Sequence, residues 1–85
     1  MNTTVEQWND GWFEVEIGIR PEEIDRLISL LHGIKADSEQ HFHINHTPSS
    51  AGPLGRLTFY IEEGATKDNM DLGGLALAPG SSVPD

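Results

Sequence analysis

From Trp12 to Ile19 every second residue, starting at Phe13, is a large apolar one, and from Pro21 onward apolar residues recur at i, i+3, i+4 and i+7. A period of two becomes a period of 3.6 across a single Arg20-Pro21 step, so the chain must turn a strand directly into a helix. The strand puts Phe13, Val15, Ile17 and Ile19 on one face and Trp12, Glu14, Glu16 and Gly18 on the other. Pro21 suits the first helical position, where its missing N–H is not needed, and Glu22 and Glu23 complement the positive end of the helix dipole. Ile24, Leu27, Ile28 and Leu31 form the apolar stripe, and Gly33 is placed to cap the helix in a left-handed conformation.

Two further alternating segments follow. His41 to His46 puts Phe42 and Ile44 on one face, and Arg56 to Glu62 does the same with Leu57, Phe59 and Ile61. The Pro-, Ser- and Gly-containing segment from Thr47 to Gly55 joins them as a long hairpin loop. The expected architecture is therefore an α+β, two-layer β-α-β-β domain, with one helix on a three-stranded antiparallel or mixed sheet. Residues 1–63 form this domain after a polar lead-in that ends at the turn Asn9-Asp10-Gly11. Residues 64–85 are a Gly- and Pro-rich tail, either docked or disordered, in which Leu75 and Leu77 are placed to add an edge strand or cover a groove.

At 85 residues with 36% hydrophobic content, the chain is long enough for one core and too short for two. Fourteen Asp and Glu face five Lys and Arg, for a formal charge of -9. Such a surface repels phosphate backbones and anionic headgroups, which argues against nucleic acid or membrane as direct partners, and it favours a basic protein. The absence of cysteine removes disulfides, thiolate metal sites and a Cys nucleophile, and makes the cytoplasm the default compartment. The first residues carry neither a basic nor an apolar leader pattern, and no apolar run approaches a membrane span.

Three groups of residues could carry function. His41, His43 and His46 are spaced so that the first two project from one strand face, where imidazoles could share a metal with His46 or a neighbouring carboxylate. Carboxylates are abundant, but Glu22 and Glu23 are explained by the helix start and Glu62 and Glu63 by a strand end. The paired serines lie in Pro/Gly loops without a strand-to-helix elbow, so no catalytic residue, cofactor site or enzymatic activity is assigned. The third group is the outward face of the expected sheet: Trp12, Glu14 and Glu16 with His41, His43, Arg56 and Tyr60. Trp, Tyr and Arg are the types enriched in binding hot spots, which makes this the expected partner-binding surface. The exposed edges of a small sheet also make a homodimer an expected assembly, in which the chain would be a structural subunit.

The helix segment Pro21-Glu-Glu-Ile-Asp-Arg-Leu-Ile-Ser-Leu-Leu31, the strand His41-Phe-His-Ile44 and the strand Leu57-Thr-Phe-Tyr-Ile61 together resemble the immunity protein 32 type, small bacterial immunity proteins of polymorphic toxin systems. The likeness spans about half the chain. It differs in the tail after Ile61 and in the loop 47–55, where Trp-Gly-Gly-like residues would be expected. The resemblance implies an antidote that binds and blocks a cognate toxin inside the producing cell.

Overall fold

The computed structural model describes residues 1–49, 52–64 and 67–74. Its elements are β1 (Asn2–Gln7), β2 (Phe13–Gly18), α1 (Pro21–Ala36), β3 (His41–Asn45) and β4 (Arg56–Tyr60). The α+β class holds, but the described residues do not form one three-stranded sheet. They form two separate two-stranded antiparallel sheets, β1 with β2 and β3 with β4.

The extra strand arises where the sequence pattern suggested only a lead-in. Thr3 and Val5 alternate with Thr4 and Glu6, and β-branched residues suit a pleated surface. Register pairs Val5 with Val15 and Glu6 with Glu14. The turn between the strands is closed by Trp8 N–H to the Trp12 carbonyl at 2.7 Å and by Trp12 N–H to Asp10 Oδ1 at 3.1 Å. Gly11 sits at a φ of 89°, a left-handed conformation that side-chain-bearing residues rarely adopt. Asn9-Asp10-Gly11 is therefore the tip of a hairpin and not only the end of a polar lead-in.

The helix opens as its sequence predicts. Glu23 reaches back to accept the Arg20 N–H at 3.0 Å, satisfying the chain just before the first turn. The helix does not stop at Gly33. It runs on to Ala36, and Asp37 N–H closes it on the Gly33 carbonyl at 3.2 Å. The physical reason is Ile34, which is only 7% exposed, so its burial outweighs the cost of about 1 kcal/mol for a helical glycine.

The helix lies on β3, which contributes the other buried side chain, Phe42, at 8% exposure. Phe42 stacks on Phe59 of β4, ring centroids 4.9 Å apart. Ile44 and Leu57, directly opposite each other, continue the same inner face, both half-buried. On the helix, Leu27 and Leu30 join Ile34 on the covered side, while Ile24, Ile28 and Leu31 of the expected stripe remain 42–45% exposed. The apolar face of β2 is likewise open, from Phe13 at 62% to Ile17 at 41%. Among the described residues no helix is long and apolar enough to cross a membrane. Leu75 and Leu77 lie outside the described residues.

The core predicts its own mutational asymmetry. Phe42→Ala should cost about 3 kcal/mol or more, because it removes a buried ring from a stacked pair. Leu72→Ala, at a fully exposed position, should stay within about 0.5 kcal/mol. Urea unfolding of the two variants measures both, and equal losses would show that Phe42 is not the centre of the core.

Candidate functional site

The side of the β3–β4 hairpin turned away from Phe42 and Phe59 carries a polar ladder. Strand alternation and antiparallel register set His41 opposite Tyr60, His43 opposite Thr58 and Asn45 opposite Arg56. The rungs are bonded: Arg56 Nε donates to Asn45 Oδ1 at 3.0 Å, and His43 Nδ1 and Thr58 Oγ1 share a hydrogen bond at 2.9 Å. His41 and His43 meet edge to face, with ring centroids 4.8 Å apart. Tyr60 is 63% exposed, and its hydroxyl donates to Glu62 at 3.5 Å. Aromatic, guanidinium and imidazole groups thus share one solvated surface whose geometry is held by cross-strand bonds.

This ladder assembles four of the seven residues expected at the partner surface: His41, His43, Arg56 and Tyr60. The other three, Trp12, Glu14 and Glu16, belong to the separate β1–β2 hairpin. Trp12 lies beside the turn at 70% exposure. Glu14 and Glu16 stand instead with Glu6, their carboxylate oxygens within 4.8 Å of one another. Glu6 was not anticipated, because it becomes visible only once Asn2–Gln7 is read as a strand; the alternation around Thr3 and Val5 before the Asn9-Asp10-Gly11 turn is the signal for it. Like charges facing across strands cost stability, so this acidic face is held against its own repulsion.

The metal triad expected from His41, His43 and His46 is not assembled. His46 turns back to the loop, where its Nδ1 lies 3.1 Å from the Gly55 carbonyl and its backbone N–H 3.0 Å from the same oxygen. A carbonyl only accepts, so Nδ1 carries the proton and this histidine fastens the ends of the 47–54 loop. Among the described residues the acidic cluster is the one group of three ligands close enough to share an ion, and it contains no histidine.

A cavity of about 520 Å³ opens between the start of β1, the first turn of α1 and the loop end of β3–β4. Its charged lining groups are engaged already. The Met1 amine pairs with Glu23 at 2.7 Å, and Arg56 holds Asn45. The hydrogen bond from that amine, reinforced by the Arg20 N–H, holds the Glu23 carboxyl below its ordinary value.

No family model matches the chain, and no curated protein or solved structure does so either.

The ladder has a measurable proton signature. Partial removal of the His43 ring from water, with the positive charge of Arg56 and the neighbouring His41, holds its pKa below the ordinary 6.5. The folded state therefore binds this proton at lower pH than the unfolded chain does. Stability from this residue is complete above 6.5, falls as the pH drops through 6.5 toward the folded-state value, and changes no further below it. A ring titration followed by NMR should give a midpoint under 6.5 that rises in Arg56→Ala. A midpoint at or above 6.5, or one indifferent to Arg56, would break this account.

Proposed function

We propose that this chain is a protein-binding domain, and that it acts as an immunity protein neutralising a basic bacterial toxin in the cytoplasm of the cell that makes both. The observation that carries the reading is the polar ladder. It displays Tyr60, Arg56 and two histidines on an open strand face, and cross-strand hydrogen bonds to Asn45 and Thr58 pre-order Arg56 and His43, so these two side chains lose less entropy on docking. The formal charge of -9 and the Glu6, Glu14 and Glu16 cluster suit a basic partner, whose approach their combined field would accelerate. Inhibition by occlusion requires no nucleophile, base or cofactor from the inhibitor, and none is assigned here. The resemblance of the helix and two strands to the immunity protein 32 type points the same way.

The test is inhibition of a basic toxin domain encoded beside this chain. Binding should be submicromolar at low salt and should weaken as salt is raised. Tyr60→Ala should cost about 2 kcal/mol, mainly through faster dissociation. Glu14→Lys with Glu16→Lys should slow association by about tenfold and leave dissociation nearly unchanged. Failure to bind or protect at micromolar concentration would remove the immunity reading, and unchanged association in the charge-reversed variant would place the contact elsewhere.

A further inference from the structure

Among the described residues, two apolar surfaces lack a complete covering layer, and they are of opposite kinds. One is a strand face: Phe13, Val15 and Ile17 of β2 are 41–62% exposed. The other is a helix arc: Ile24, Ile28 and Leu31 of α1 are 42–45% exposed, because the helix gives its Leu27, Leu30 and Ile34 side to β3. A sheet face needs a helix or second sheet against it, and a helix stripe needs the same. Each bare surface here is the type of partner that the other requires.

We propose that a second copy of this chain covers both at once, the β1–β2 hairpin of each copy lying on the helix of the other. A two-fold axis makes such a contact reciprocal and closed, so it ends at a dimer. With ordinary side-chain areas, the exposed parts of these six residues come to roughly 500 Å² per copy, or about 1,000 Å² for two, the size at which a specific interface begins. Charge does not forbid it. Strand alternation turns Glu6, Glu14 and Glu16 to the opposite side of the hairpin, so the surfaces that meet carry no carboxylate from either strand. The core gives the reason such a cover is needed: among the described residues only Ile34 and Phe42 are buried, too little to offset the ordering of the chain. The described part of the tail does not supply the cover, since Met70 and Leu72 are 84% and 100% exposed.

The dimer stands apart from the toxin-binding reading, because its test uses this protein alone. Sedimentation and light scattering should give twice the 9.3 kDa chain mass at micromolar concentration, with a melting temperature that rises with protein concentration. Dimer affinity should rise with salt, as repulsion between two chains of charge -9 is screened, whereas binding to a basic partner falls. Val15→Lys and Ile28→Glu should each weaken dimerisation at least 100-fold. Mixing the two variants should restore the dimer, because the lysine on one copy's hairpin then meets the glutamate on the other's helix and the remaining pair of surfaces is unaltered. If either variant alone is unfolded, the mixture should regain helical circular dichroism.

A wild-type monomer with a concentration-independent melting temperature would overturn the proposal. So would a dimer indifferent to both substitutions. Recovery only when both substitutions sit in one chain, and not on mixing, would show that the hairpin covers its own helix. A monomer destabilised by removing residues 75–85 would assign the cover to the chain's own C-terminal segment.

Discussion

Within the described chain the helix rests on β3. Phe42 is held between this contact and the stacked ring of Phe59, and Ile34 is the helical side chain buried with it. Because strand side chains alternate, burying Phe42 and Ile44 on the helix side forces His41, His43 and Asn45 to the other side. Antiparallel register then brings Tyr60, Thr58 and Arg56 opposite them. The polar ladder is therefore a geometric consequence of the core. The same contact draws the helix past Gly33, since the last turn is what delivers Ile34.

The first hairpin is built on the same alternation but with a different outcome. Its Val5–Val15 side is apolar and its Glu6–Glu14 side is acidic, and neither is fully occupied by the rest of the described chain. A surface with two such unlike faces can meet two unlike neighbours. The acidic face suits a basic protein through long-range attraction, while the apolar face suits a desolvated contact with a helix. The proposed dimer and the proposed partner contact thus draw on separate surfaces, and a dimer would present two copies of the ladder.

Much of this was legible in the residues. The strand at 13–18, the helix start at Pro21 and the two later strands follow from periodicity and from Pro and Glu placement, which act over a few residues. The pairing of His41 and His43 with Arg56 and Tyr60 was legible too, because a hairpin with inward Phe42 and Phe59 leaves no other face for them. What escaped depended on weaker or non-local signals. β1 is spelled mostly in polar residues, and its alternation gains meaning only from β2 beside it. The helix end was misjudged because a glycine cap is a local preference, whereas Ile34 is retained by tertiary burial. His46 matched a metal spacing but is claimed by the Gly55 carbonyl across the loop, a contact that spacing along the chain does not encode.

The sequence by itself determined the local periods, the turn at Gly11, the helix dipole complement and the excess of negative charge, since each depends on neighbours within a turn or on a simple count. Only the tertiary structure decided which apolar residues are covered. It divided the strands into two sheets, placed Trp12, Glu14 and Glu16 apart from the ladder, and left half of the helix's apolar arc open. A hydrophobic residue carries the same transfer free energy wherever it lies, so whether it becomes core or contact surface is settled by which elements reach it in space.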